Sequence, residues 1–470
     1  MAIIGRAEEK QRLEYYYYSG RPELIIVYGR RRVGKTYLVK EHFGGKFAFS
    51  FTGSVGASKK VNLANFDKAI VEYGGETKTA SKDWSDAFDK LRSLLKLTQG
   101  ERKVVFIDEM PWLDSRKSDF LMAFDYFWNS WASANPDILF IGCGSATSWI
   151  TKKIFKNRGG LHNRVTGRIY LSPFTIGECE AFFQVRGVEI DRYQLAECYM
   201  IFGGIPYYLN LIERGLSFPQ NVDKLCFAKN AELRNEFNEL YMSLFSNPER
   251  HISVVEALAA SNSGSSRNDI LKNSGLQSNG HLTTALDELE QSGFIEKYRD
   301  TSKRKNGAYY FLKDPFTLFY IRYMKDNVDK DENYWMSNLD EGARNAWRGY
   351  AFEQLCRMHL GHIKKALGIS GVSTATSSWR SKTSVPGAQI DLVIRRKDGI
   401  TNLCEIKYTR YPFEISKSYA DVLEKKRMAF FMETGINNGV HLTMITTYGL
   451  AKKGYFSTVH SEVTLDDLFV

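Results

Sequence analysis

LIIVYGRRRVGKTYLVKEHF, residues Leu24–Phe43, places an apolar run, a glycine loop and a helix-like run in direct succession. The β-branched bias of LIIVY predicts a buried strand. The loop GRRRVGKT, Gly29–Thr36, has the spacing G-x-x-x-x-G-K-[ST], and this flanking context makes such a spacing a phosphate cradle. Gly29 and Gly34 let the backbone curl so that the N–H groups of Arg30, Arg31, Arg32 and Val33 turn inward, and the helix start adds positive potential. Lys35 would reach the β- and γ-phosphates of a nucleoside triphosphate, and Thr36 would ligate Mg²⁺. A chance Lys-Thr after a glycine turn is the plain alternative, and the strand and helix on either side weigh against it.

Working outward, 470 residues suffice for two to four domains with separate cores. With 43% hydrophobic and 25% charged residues, the composition is that of a globular protein rather than a disordered or fibrous one. No apolar run reaches the length of a membrane span, and MAIIGRAEEK lacks a secretory apolar segment. Cys143, Cys179, Cys198, Cys226, Cys356 and Cys404 are scattered without a CxxC pair, which suits buried thiols in a reducing compartment, so a cytoplasmic protein is expected. Net charge is +10, and from residue 341 to the end 18 Lys/Arg face 12 Asp/Glu. A basic last domain favours a polyanion such as DNA, although lysine-rich surfaces also serve solubility.

In chain order, Ile3–Leu13 reads as a glycine–arginine turn entering a helix, and the run Tyr15–Tyr18 as core packing. Lys46–Gly53 reads as a second strand, Lys59–Lys82 as polar and irregular, and Asp83–Leu97 as a helix. KVVFIDEM, Lys103–Met110, is a buried strand delivering two carboxylates to its C-terminal edge, where open α/β sheets bind ligands. Asp108 would hold Mg²⁺ through water, and Glu109 would orient and deprotonate the attacking water. DILFIGCGS, Asp137–Ser145, is a third strand ending in Ser145, a candidate sensor of the γ-phosphate or the water. RIYLSPF, Arg168–Phe174, is a fourth, and Arg158, Arg164 or Arg168 could lend charge to the transition state, in cis or from a neighbouring subunit.

GRRRVGKT, IDEMPW, SDFLMAFDYFWNSWA, CGSATSWI, LHNRVTGRIYLSPFT and GGIPYYL together resemble a family of archaeal and bacterial ATPases within the AAA+-like and STAND-like P-loop ATPases. The resemblance covers nearly the whole chain. It implies ATP as the nucleotide and a parallel sheet with an extra strand between the phosphate-loop strand and the Asp-Glu strand, followed by a helical lid. It also implies that Gly5 and Arg6, and Gly204 and Pro206, lie near the adenine.

Residues 249–312 read as a winged helix. HISVVEALAAS and SRNDILKNSG are two helices, the second ending at Gly275. Ser278 can cap a third, with Leu282, Leu286 and Leu289 on one face and Gly293 at its end. FIEKYRDTSKRKNGAYYFL is then a two-stranded wing. In a DNA-reading geometry Asn279, His281, Thr283 and Thr284 would face the groove, and Lys303, Arg304 and Lys305 the phosphates. Winged helices also pack against their own chain or other proteins.

The last domain carries a second constellation. Glu353 lies in the helix-like WRGYAFEQLC, while QIDLVIRR (Gln389–Arg396) and NLCEIKYT (Asn402–Thr409) read as hairpin arms around Lys397, Asp398 and Gly399. Glu405 and Lys407 are two apart and share a face. Asp391 and Glu405 on paired strands can share a divalent metal, Mg²⁺ or Mn²⁺, while Lys407 orients water or steadies charge on phosphate. This looks like the PD-(D/E)xK nuclease site with a helix glutamate as fourth member, although Ala388-Gln389-Ile390 precedes Asp391 where the pattern has proline. His359 and His362 offer no rival metal site and read as surface residues.

The expected fold class is α/β multidomain. It comprises a P-loop NTPase parallel sheet (1–175) with a helical lid (176–245), a winged helix (246–325) and a C-terminal α/β nuclease-like domain (341–470). The expected function is an ATP-controlled, metal-dependent DNA endonuclease. A non-cutting ATP-dependent switch that binds DNA or a protein partner is the alternative, with a chaperone-like remodeller as a weaker third. A homo-oligomer is compatible with all three.

Overall fold

In the computed structural model the described residues are 3–470 except 116, 157–160, 162, 262–263, 278–279, 300–307, 328–330, 339–341, 382–386 and 437–438. The chain divides into two compact units, one of residues 1–173 and 287–293, the other of 174–286 and 294–470.

The first unit is built on five strands, β1 (Glu23–Tyr28), β2 (Phe49–Thr52), β3 (Lys103–Asp108), β4 (Ile138–Gly144) and β5 (Gly167–Tyr170). Their order is β2-β3-β4-β1-β5, and every pairing is parallel. β4 thus sits between the strand before the glycine loop and the strand ending in Asp108, as the resemblance implies. Because all five run the same way, the loops after β1, β3 and β4 leave from one edge. β1, β3 and β4 are apolar on both faces, which is why their sequences read as continuous apolar runs. One face is covered by an aromatic core in which Phe66, Trp84, Phe88, Phe120, Phe124 and Phe127 pack from three helices onto Phe49 and Phe140.

Two readings of this unit are corrected. Lys59–Glu72 is a regular helix capped by Ser58, burying Leu63, Phe66, Ala69 and Ile70. Its polar residues mask a stripe at i, i+3, i+6 and i+7. Of the tyrosine run only Tyr16 is buried, against Gly167, while Tyr15 and Tyr18 are exposed. Successive residues in the helix Ala7–Tyr17 point about 100° apart, so neighbours in such a run cannot all share the core face.

In the second unit, Thr175 opens the helix Ile176–Arg186 with a capping box. The next helix, Arg192–Phe202, is buried at every position from Leu195 to Phe202, including Glu197. Further along come the helix Pro248–Ala259, β6 (Ser265–Ser266), the helix Arg267–Ser274, the helix Gly280–Gln291, which crosses the division between the units, then β7 (Ile295–Arg299) and β8 (Ala308–Leu312). These strands form an antiparallel sheet of order β6-β8-β7. The helices and strands follow the sequence of elements expected for residues 249–312.

The C-terminal part has β9 (Thr374–Arg380), β10 (Gln389–Arg396), β11 (Ile400–Lys407), β12 (Gly439–Thr446) and β13 (Ser461–Thr464), in the order β13-β12-β11-β10-β9. β10 and β11 are the expected hairpin, turning at Gly399 with φ +89°. β11 and β12 are parallel, and the helix Lys417–Thr434 makes the crossover between them. The helix Gly342–Met358 packs on β11. None of the six cysteines forms a disulfide, and all are buried.

Candidate functional site

At the edge of the first unit's sheet, Gly29 has φ +148°, and a Cβ there would collide with the carbonyl oxygen of Leu171 on the chain leaving β5. Gly34, φ +90°, starts the helix Lys35–His42, and Arg32 between them is also left-handed. Arg30 and Val33 are buried, and Arg31 and Arg32 are half-buried. Lys35 is buried in the loop, its ammonium donating to the carbonyls of Gly29 (3.1 Å) and Arg30 (2.8 Å). Burial lowers its pKa, and Cys143, Glu109 and Asp108 oppose that shift.

Three sequence-distant groups converge on this loop. The Thr36 hydroxyl donates to Asp108 Oδ2 at 2.6 Å. Asp108 Oδ1 accepts from the Glu109 N–H at 2.9 Å, and Glu109 is left-handed (φ 49°) at the end of β3. The Ser145 hydroxyl, beyond β4, donates to Glu109 Oε1 at 2.8 Å. Thr36 and Asp108 offer two hard oxygens side by side, a donor set that fits Mg²⁺. The N-terminal turn belongs here too. Gly5 and Arg6 are both left-handed, and Arg6 donates to the Val33 carbonyl at 3.3 Å. Of the candidate arginines, Arg158 lies outside the described residues, and Arg164 and Arg168 are exposed, with the Arg168 guanidinium 4.4 Å from the Phe155 ring centre.

Gly204 and Pro206 lie in the second unit. A side chain on Gly204 would collide with the backbone of Phe174, whose N–H donates to Gly204 O at 2.7 Å, and Pro206 opens the helix Pro206–Asn210.

The second unit also assembles the other predicted constellation. The register pairing Leu392 with Cys404 puts Asp391 opposite Glu405 on adjacent strands. Asp391 Oδ2 accepts the Ile406 N–H at 2.9 Å. Both carboxylates are buried, and burial followed by the charge of Asp391 raises the pKa of Glu405, with Lys426 opposing. Glu353, from the helix Gly342–Met358, feels the same field. Burial first and Asp391 next push it up to about 8, against Arg357 and Lys407. The Lys407 ammonium lies 3.9 Å from Glu405 Oε2 and is one-third exposed. Asp391 and Glu405, buried and directly opposite each other on adjacent strands, offer hard carboxylate oxygens that fit a divalent cation. Among the described residues no group of three or more His, Cys, Asp or Glu stands close enough to hold a metal ion.

Several residues here escape sequence reading. Lys426 donates to Glu405 Oε1 at 2.6 Å, much closer than Lys407, and the Tyr419 hydroxyl lies 3.4 Å from Oε2. Both come from the helix Lys417–Thr434, and their seven-residue spacing on the stripe of Leu423 and Phe430 is the available signal. Arg357, one turn after Glu353, donates to the Asp391 carbonyl and lies over Phe311 (4.9 Å) and Tyr298 (5.7 Å). Glu197 accepts from Arg344 (2.9 Å) and Arg348 (3.0 Å), fixing the start of the Glu353 helix to the helix Arg192–Phe202. His359 is a correction. Far from the surface, it is buried, with Nδ1 bonded to Leu355 O and Nε2 accepting the Ile176 N–H, and burial lowers its pKa to about 4. It is a neutral structural clamp that sequence, blind to the remote Ile176, cannot reveal.

His281, Thr283 and Thr284 are exposed on the helix Gly280–Gln291, whereas Leu282, Leu286 and Leu289 are buried. Ser278, Asn279, Lys303, Arg304 and Lys305 lie outside the described residues. No helix among the described residues is long and apolar enough to cross a membrane.

Residues 4–212 match the model of an ATPase domain predominantly from Archaea. An uncharacterized protein of Methanocaldococcus jannaschii is 26% identical over 432 residues, covering 91% of this chain and 92% of its own. An uncharacterized ATP-binding protein of the same organism is 46% identical over 44 residues, 9% of this chain and 75% of its own. Among solved structures, the Walker-type ATPase of Pyrococcus abyssi aligns with TM-score 0.47 and 17% identity, covering 68% of this chain and 96% of that one.

Proposed function

We propose that this chain, whose residues 4–212 match an ATPase domain found predominantly in Archaea, is a nucleotide-controlled, metal-dependent DNA endonuclease. The observation that carries the reading is the meeting of Asp391 and Glu405 on neighbouring strands, with Lys407 beside them and Glu353 within their field.

In the ATPase half, Lys35, now bonded to its loop carbonyls, would turn to the β- and γ-phosphates, and the neighbouring Thr36 and Asp108 oxygens would hold Mg²⁺. Glu109, kept in place by Ser145, would take the proton of the attacking water. In the C-terminal half the substrate backbone is already anionic, so attack by water needs added positive charge and a positioned proton acceptor. A divalent ion, when bound by Asp391 and Glu405, supplies Lewis acidity. Lys407 would steady charge on the phosphate, and Glu353, whose pKa burial and Asp391 push up to about 8, would take up or release a proton at its carboxyl oxygen. DNA contact is supported by the net charge of +10 and by the exposed His281, Thr283 and Thr284 on the third helix of a winged-helix order of elements.

The test is incubation of the full chain with supercoiled and linear DNA in Mg²⁺ or Mn²⁺, with and without ATP, beside Asp391→Ala. Nicking that Asp391→Ala abolishes, with ATP turnover retained, is the expected result. Equal cutting by the mutant would move the activity away from this site. An absence of cutting in every condition would favour the second reading, an ATP-dependent switch whose C-terminal domain only binds DNA or a protein. The engagement of Glu405 by Lys426 is the observation on the side of that reading.

A further inference from the structure

Lysine is a costly residue for the inner stripe of a helix. On the helix Lys417–Thr434, Leu423 and Phe430 are buried, and Lys426 lies between them in the same row, three residues after Leu423 and four before Phe430. Its neighbours Lys425 and Arg427 behave as surface residues, Arg427 pairing with Glu424 along the helix. Lys426 is held by a single acidic partner, Glu405, at 2.6 Å, and Glu405 is 3% exposed while Lys426 is 21% exposed. The ammonium therefore reaches into the site from its rim on a stem that retains a path to water. Lys407, the lysine the sequence motif points to, stands 3.9 Å from the opposite oxygen of Glu405 and 5.7 Å from the Tyr419 ring.

The chemistry of the pair explains why such a lysine is there. Asp391 and Glu405 face each other in a buried place, where two like charges side by side favour a nearby cation. One ammonium supplies a single charge to one carboxylate. A divalent ion supplies two and accepts oxygens from both. Resting on the reading of Asp391 and Glu405 as a metal pair, we propose that Lys426 is a built-in counter-cation, standing over Glu405 when no metal is bound and displaced toward the rim when a divalent cation enters. The two lysines then have different work. Lys426 is a positioning residue that keeps the metal-free site formed and sets how much divalent ion is needed to occupy it, while Lys407 faces the substrate phosphate. Lysine suits displacement because its charge is a compact point on a flexible stem, whereas an arginine would fork onto the carboxylate and resist leaving.

The experiment is Mn²⁺ binding to the full chain without nucleotide, read from the electron paramagnetic resonance signal of free Mn²⁺. Wild type, Lys426→Met, Lys426→Ala, Lys426→Arg, Lys407→Ala and Asp391→Ala are compared, with thermal melting of each as a folding control. Removal of a competing unit charge at this distance should tighten Mn²⁺ binding by about tenfold or more in Lys426→Met and Lys426→Ala. Lys426→Arg should weaken it, and Lys407→Ala should change it by less than about threefold. Lys426→Met preserves the volume of the stem, so it keeps the test readable should Lys426→Ala fail to fold. Unchanged or weaker Mn²⁺ binding in folded Lys426→Met would overturn the proposal and leave Lys426 as a structural ion pair. If wild type and Asp391→Ala bind Mn²⁺ alike, the metal-pair reading itself is wrong, and the lysine proposal falls with it.

Discussion

The Ser145 hydroxyl donates to Glu109 at 2.8 Å, joining the ends of β3 and β4 across the edge of the sheet where the glycine loop lies. A carboxylate proposed as a general base is thereby held by a neutral donor rather than a cation, which leaves its charge available for water. Glu109→Gln should retain ATP binding and lose turnover by about 100-fold or more. Ser145→Ala, which frees Glu109 without removing it, should retain binding and lose a smaller share. Nucleotide binding by fluorescence and phosphate release together check both, and wild-type turnover in Glu109→Gln would remove it from the role of base.

Gly29 and Gly34 carry the same motif but different constraints. Gly29→Ala meets the Leu171 carbonyl at a backbone angle that side chains rarely adopt, so it should destabilise the chain by about 2 kcal/mol or more. Gly34→Ala points into open space at φ +90° and should cost about 1–2 kcal/mol. Urea unfolding of the two variants gives the order.

Glu197 is the shared acceptor of two buried guanidinium groups. Glu197→Gln keeps its size but removes the carboxylate that both guanidinium groups share, and should destabilise by about 3–5 kcal/mol. Apolar replacement of all three members should be far milder, because the cost of burying the charges disappears with them. Denaturant midpoints of the single and triple variants test the contrast.

Protonated Glu353 should make metal-free stability depend on pH. Its pKa is raised on folding, from 4.5 to about 8, so the stability it contributes is complete below the ordinary glutamate range. That contribution is lost as pH rises toward 8. Melting temperature in chelator should fall between about pH 5 and 8, and the slope should flatten in Glu353→Gln. An unaltered slope in that variant would place the titration elsewhere.

Lys303, Arg304 and Lys305 form the basic stretch between β7 and β8 in sequence. If they meet DNA phosphates, their joint replacement by alanine should flatten the dependence of log affinity on log salt by up to about three units. Absence of DNA binding by wild type even at low salt would point to a protein partner instead.

The sequence by itself determined the elements whose signal is local. The strand, glycine loop and helix of residues 24–43, the strand ending in Asp108, the hairpin bearing Asp391 and Glu405, and the helix carrying Glu353 all follow from periodicity and from glycine placed where the backbone must turn. It misled where polar residues hid a buried stripe, as in Lys59–Glu72, and where a run of one residue type ignored helical rotation, as at Tyr15–Tyr18. Only the tertiary structure decided which distant groups meet: Ser145 on Glu109, His359 on Ile176, Glu197 under Arg344 and Arg348, and Lys426 over Glu405. The physical reason is that a buried charge or imidazole takes its meaning from the partner that satisfies it. For these residues that partner lies across the fold, where no spacing along the chain records it.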